Sequence, residues 1–350
     1  MALFVFGAGA TRGCSFVDSR RFPCIPPLDR DFFTQLQRVA NPKHKELVSD
    51  VMQDVVELFG VNFEATMEAV FTTLEHTIRM LKTTGENRDF KASELTKKRD
   101  RLKQAIAVVL EESLTKNREG TSSVDPKACE HHKKFVTKIL QPRDAIITFN
   151  YDCVIDFSLK TWGSYKWNAH YGYGFNLGPG GRNVVGHDFW QPREPSPKPE
   201  TAMLYKLHGS LHFDIKGDDD SPHVKLKQRP YTKQAGGGLR FTIIPPEWHK
   251  EFDKGAFGPL WAKASEAINR ADHIVLIGYS LPPTDLHSTA LFRTSVRKAG
   301  LKSLIVVNPD REARRRTREV LQRGLNDKTR ILSFDHFPEF LAAKRDMWEI

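Results

Sequence analysis

The chain of 350 residues has 53 Lys and Arg against 43 Asp and Glu, a formal net charge of +10, and is 39% hydrophobic. It is long enough for a sizeable core, holds no run of about 18 apolar residues to cross a membrane, and its start MALFVFGAGATRG lacks a basic leader segment, so a cytoplasmic location is expected. Cys14, Cys24, Cys129 and Cys153 show no CxxC spacing, which points to neither a disulfide framework nor a zinc ribbon; no metal is expected.

ALFVF (2–6) reads as a buried strand that runs straight into GAGATRG. Pro23, Pro26 and Pro27 make an irregular connection to DRDFFTQLQRV, where Phe32, Phe33, Leu36 and Val39 have helical spacing. From about 44 to 141 every pattern is helical, with Gly60, Gly85 and Gly120 as stops; Met67, Phe71, Leu74 and Ile78 form a stripe read as core. DAIITF (144–149) returns to strand, and 162–201 has no period. AMLYKLHGSLHFDI (202–215) alternates as paired strands broken at His208-Gly209, and LRFTIIPP (239–246) reads as another strand. KGDDDSP (216–222) and QAGGG (234–238) carry turn chemistry. HIVLIGYSLP and KSLIVVNPD repeat a strand-then-turn pattern between helices, the signature of parallel βαβ units.

Four apolar strands thus close on polar or glycine residues: the glycine turn, Asn150 with Asp152, Gly278-Tyr279-Ser280, and Asn308-Pro309-Asp310. One such ending is ordinary capping, and Asp152 and Asp310 are fit for that alone. Four together favour one crevice at the carboxyl edge of a parallel sheet, where open α/β sheets take their ligands. Without Cβ atoms, Gly7 and Gly9 let a backbone approach a pyrophosphate, although the full GxGxxG is absent and an ordinary tight turn has the same composition. Arg12 is either a phosphate partner or a surface cation. His208, followed by glycine at a strand end, adds a titratable group. The basic runs REARRRTREVLQR (311–323) and KKRDRLK (97–103) fit solvated helix faces better than a nucleic-acid surface, which they leave open.

FGAGAT, TFNYD, KLHGS, IGYSL and VVNPD, in that order, resemble the motif series of the sirtuin (Sir2-like) superfamily over about 1–35 and 142–310. The series is most similar to that of bacterial Sir2-like NADases of antiphage defence. The zinc module of protein deacylases, with two CxxC pairs after the HG, has no counterpart here, IPPLDRDFF stands for the family's GIPDFR, and Phe149 replaces a glutamine. The resemblance implies a Rossmann-like α/β domain of parallel sheet and flanking helices (1–43 and 142–350) with a helical insertion (44–141). It implies NAD+ as substrate without zinc and cleavage of the nicotinamide–ribose bond. Asn150 would orient ribose hydroxyls or water, Asp152 hold the nicotinamide carboxamide, and His208 meet a ribose hydroxyl or act as base. Gly7, Ala8, Gly9, Ala10 and Arg12 would line the pyrophosphate, and Gly278, Ser280 and Asn308 the phosphate and adenine-side ribose. Homo-oligomers and a HerA-like ATPase partner are further expectations. Deacylation, or a non-catalytic module that binds NAD or ADP-ribose, are the alternatives.

Overall fold

The computed structural model describes residues 1–85, 90–117, 124–175, 177–178, 181–182, 188–216, 223–227, 241–245, 255–343, 345 and 348. Its centre is a sheet of six parallel strands: β1 (Ala2–Phe6), β2 (Ala145–Thr148), β3 (Met203–Lys206), β4 (His273–Ile277), β5 (Ser303–Val307) and β6 (Arg330–Phe334). Their spatial order is β3-β2-β1-β4-β5-β6. This is the doubly wound order of a Rossmann-like fold, in which the winding reverses between β1 and β4.

Strands β1, β2, β4 and β5 are buried throughout because helices cover both faces, whereas the edge strand β6 is largely exposed. Alternate residues divide between two cores. Phe4, Phe6, Ile146, Leu204, Val275 and Ile305 pack on one face with Phe135, Phe337 and Trp348. Leu3, Val5, Ile147, Leu276 and Leu304 pack on the other with Leu260, Trp261, Ile268 and Phe292.

The helices used below are α1 (Ala8–Arg12), α2 (Lys45–Phe59), α3 (Met67–Thr84), α4 (Ala92–Leu114), α5 (Val154–Trp162), α6 (Phe257–Arg270), α7 (Leu286–Ser295) and α8 (Arg311–Val320). Among the described residues no helix is long and apolar enough to cross a membrane. Helices α2, α3 and α4 share a third core in which Phe71, Leu74 and Ile78 are buried as their spacing predicts, while Met67 is half-buried. Phe32, Phe33 and Leu36 belong to the same core, so the helical block is welded to the segment that precedes it. Gly60 and Gly85 end α2 and α3 at positive φ, 86° and 94°. Gly120 and most of the two turn segments, 217–222 and 228–240, lie outside the described residues.

The run KKRDRLK is committed within this block. Lys98 pairs with Asp54 at 3.2 Å and with Glu57, Arg99 with Glu75 at 2.9 Å, and Arg101 with Asp54 at 2.6 Å. These pairs tie α4 to α2 and α3. The paired-strand expectation for 202–215 is corrected: β3 joins the parallel sheet beside β2, while Phe213–Lys216 pairs antiparallel with His223–Lys227 in a small separate sheet. Gly209–Ser210 instead pairs with Thr242–Ile243, part of the strand expected at 239–246.

Candidate active site

Strand register gathers the candidate residues. Phe6, Thr148, Lys206, Ile277 and Val307 are mutually paired across five adjacent strands. One residue further stand Gly7, Phe149, Leu207, Gly278 and Asn308; two further stand Ala8, Asn150, His208, Tyr279 and Pro309. Segments as distant in sequence as Gly7 and Asn308 therefore leave the same edge of the sheet.

The glycine turn and the turn after β4 meet backbone to backbone. The Gly9 N–H donates to Gly278 O at 2.9 Å, and Gly278 stands at φ +62°. A Cβ on Gly7 would fall 2.6 Å from Gly278 O, one on Gly9 2.7 Å from the same oxygen, and one on Gly278 2.1 Å from Ala10 N. These glycines have a structural cause of their own, the close approach of two loops at the point where the sheet order reverses. Ala8 is exposed and Gly9 half-buried, leaving a short stretch of this turn open to a ligand, whereas Ala10 is buried in the core.

Asn150 is held by that turn. Its Nδ2 donates to Gly7 O at 3.0 Å and to Thr11 Oγ1 at 3.1 Å. The Thr11 hydroxyl donates in turn to Asp152 Oδ2 at 2.7 Å, while Asp152 Oδ1 accepts from the Val154 N–H at 2.9 Å and starts α5. Asp152 is 5% exposed with both oxygens engaged, so it braces α1 against the end of β2 and holds the first residue of α5, whose N-cap position is Cys153. Asp310 is the N-cap of α8 and accepts from the Glu312 N–H at 2.9 Å.

Behind Asp152 lies a group whose lysine opens the KLHGS motif and whose other members, Asp156 and Tyr173, stand outside the motif series. Lys206, fully buried, donates to Asp152 O at 2.6 Å and to Asp156 Oδ2 at 2.7 Å; Tyr173 OH donates to Asp156 Oδ1 at 2.9 Å. Burial alone would pull the Lys206 ammonium down, but the Asp156 carboxylate holds it above its ordinary value, with Cys153 and Asp152 adding to the same effect. A lysine inside the apolar strand LYKL was the sequence signal for it, because a buried charge demands a partner. Tyr173 and Asp156 carried no local signal.

His208, 6% exposed, stands among aromatic rings, with centroid distances of 5.0 Å to Phe149 and 6.4 Å to both Tyr151 and Trp261. Phe149 stacks on Tyr279 at 4.6 Å, so one row of rings runs from the end of β3 over β2 to β4. Gly209, at φ +78°, would place a Cβ 2.3 Å from Thr242 O, which explains the glycine after His208. The Tyr279 phenol donates to Asp285 Oδ2 at 2.9 Å; burial, with that carboxylate, raises its pKa well above the ordinary value.

Other candidates are engaged elsewhere. Arg12 pairs with Asp31 and donates to Pro26 O, tying the glycine turn to IPPLDRDFF. Asn308 Oδ1 accepts from Asp310 N at 3.0 Å and its Nδ2 donates to Tyr279 O at 3.4 Å, which steadies the turn after β4. Ser280 is half-buried, and its carbonyl accepts from Arg316 at 3.2 Å and 3.3 Å. Arg314 donates to Asn308 O and Phe334 O, and Arg315 pairs with Glu312 and Glu319, so much of the basic run on α8 is matched within the chain. The helical block reaches the same edge, where Thr284 donates to Glu68.

No family model and no curated protein matches the chain. Among solved structures it is similar to a mutant Sir2 homologue in complex with 2'-O-acetyl ADP-ribose, at 14% identity over 100% of this chain and 93% of that one, with a TM-score of 0.39. It is also similar to a structure described as the structural basis for the mechanism and regulation of Sir2 enzymes, at 11% identity over 99% of this chain and 91% of that one, with a TM-score of 0.36.

Proposed function

We propose that the chain hydrolyses the nicotinamide–ribose bond of NAD+, releasing nicotinamide and ADP-ribose. The observation that carries this is the register: Ala8, Asn150, His208 and Tyr279 stand two residues beyond the paired ends of neighbouring strands, around the reversal of sheet order. Dinucleotides bind at such points.

Asn150 has donated both amide hydrogens inside the protein, so its Oδ1 is the atom left to accept from a ribose hydroxyl or from the attacking water. In the reaction the glycosidic electron pair returns to the ring nitrogen, and nicotinamide departs neutral without a strong acid. The ribose carbon gains the water oxygen, and the water's proton goes to His208 as the general base. Asp152 acts through its hold on Thr11 and through its negative charge beside the developing ribosyl cation. Ala8 and Gly9 supply the open backbone for the pyrophosphate, with Gly7 and Gly278 beneath them as the close-packed floor. Ser280 faces phosphate or ribose, and Asn308 keeps that turn in place. Arg12, engaged by Asp31, is left to positioning. The motif series extends the proposal to NAD+ depletion in antiphage defence by a homo-oligomer, with a HerA-like ATPase as partner.

The test is turnover of etheno-NAD by the full chain, alone and with the candidate ATPase, beside Asn150→Ala and His208→Ala. Loss of roughly 10²–10⁴-fold in both variants, each shown to be folded by circular dichroism, is expected. Unchanged turnover in either variant would remove that residue from the mechanism. Binding without turnover under every condition would make the protein a nucleotide-binding module, and turnover only with acylated peptide would make it a deacylase.

A further inference from the structure

Directly behind the glycine turn lies a cluster that the proposed hydrolysis does not use. Cys14, Cys129 and His132 are 4%, 1% and 2% exposed, and their ligand atoms all lie within 4.8 Å of one another. His132 Nδ1 is 3.7 Å from Cys14 Sγ and 3.2 Å from Cys129 Sγ. Bonds of about 2.0–2.3 Å to one tetrahedral ion set neighbouring ligand atoms roughly 3.5–3.8 Å apart. The two sulfur–nitrogen separations sit close to that spacing, and the two sulfurs lie within 4.8 Å of each other.

We propose that Cys14, Cys129 and His132 bind one zinc ion, which staples the segment after α1 to the short helix Glu130–Lys134. Two thiolates and a neutral imidazole suit a borderline-soft divalent cation and cancel its charge, which a buried site requires. With the metal on Nδ1, the ring proton sits on Nε2. The support around the ligands is already in place. The Ser15 N–H lies 3.5 Å and the Ser15 hydroxyl 3.8 Å from Cys129 Sγ, in the manner of outer donors that stabilise a metal thiolate.

The Cys14 hydrogen bond brings the Cys129 thiol down, with His132 helping, while burial pushes Cys14 up. Thiolate ligands must be deprotonated to hold a metal, so affinity falls as pH falls. The staple acts on α1: Cys14 N donates to Thr11 O at 3.1 Å, and Thr11 is the residue between Asn150 and Asp152. CxxC spacing could not reveal it, because His132 stands 118 positions from Cys14.

The experiment titrates the metal-stripped full chain with Co²⁺ at neutral pH under reducing conditions. The expected result is thiolate-to-cobalt charge transfer with tetrahedral visible bands, saturating at about one ion per chain and displaced by zinc. Cys129→Ala and His132→Gln should lose the bands, and Cys24→Ala should keep them. In the unaltered chain, mass spectrometry should find Cys14 and Cys129 protected from alkylation by zinc, a readout that does not depend on a variant folding. Absence of cobalt bands in the wild type, persistence in Cys129→Ala, or a Cys14–Cys129 disulfide forming with no metal uptake would each overturn the proposal. None of these readouts uses NAD, so they stand or fall apart from the hydrolase reading.

Discussion

At the carboxyl edge of the sheet, polar side chains hold backbone as well as one another; in the helical block, the basic run is held by carboxylates. Asn150 and Asn308 reach the carbonyls of Gly7 and Tyr279, and Asp152 receives the N–H of Val154. In the block, Asp54 takes Lys98 and Arg101, and Glu75 takes Arg99. Bonds of the first kind are short-range and directional, and they define the turns. Those of the second kind are Coulombic, partly hydrated, and tolerant of which cation meets which carboxylate. The difference teaches where shape is set by fit and where it is set by burial alone.

Two glycines at positive φ make the sharpest test of that contrast. Gly278 at +62° has Ala10 N 2.1 Å from the site of an added Cβ, whereas Gly60 at +86° has nothing within 4 Å. Gly278→Ala should cost about 4 kcal/mol or more of unfolding free energy in urea, because backbone must move as well as strain be borne. Gly60→Ala should cost about 1–3 kcal/mol, the strain of its positive-φ, extended backbone alone (φ 86°, ψ 168°). Equal losses would mean that the loop contact yields easily.

Charge gives the next comparison. Lys206→Met leaves the Asp156 carboxylate buried without its cation, and a loss of about 3–5 kcal/mol is expected. Lys206→Met combined with Asp156→Leu should recover much of it, since no charge is then stranded. The smallest effect belongs to the block: Asp54→Ala should cost about 1 kcal/mol at low ionic strength and less in high salt, because its partners stay partly hydrated. A salt-independent loss of several kcal/mol there would erase the distinction between the two regions.

Much of the framework was legible in the chain itself. The apolar runs at 2–6, 145–148, 273–277 and 303–307 are strands, and Phe71, Leu74 and Ile78 are core, because burial on one or two faces leaves a local period. What a residue meets across the fold leaves no period. Arg12 finds Asp31 rather than solvent, Lys206 finds Asp156, and β3 pairs with β2 instead of the segment that follows it. The sequence around Gly7 and Gly9 suggests the approach of a ligand, and the structure adds a second cause, the backbone at Gly278. For the same reason Cys14 and Cys129 look solitary until the chain closes.

The place of β1 has a consequence for how the chain is made. Ala2 pairs with His273 on one side and Leu3 with Ala145 on the other, so the middle strand leaves the ribosome before the five other strands of its sheet and must wait for both neighbours. Helices α2 to α4 can consolidate meanwhile from contacts close in sequence, while ALFVF stays a sticky unpaired ribbon. A nascent chain halted before residue 273 would keep one margin of that ribbon bare, and shielding it during translation becomes a cellular task rather than a property of the finished fold.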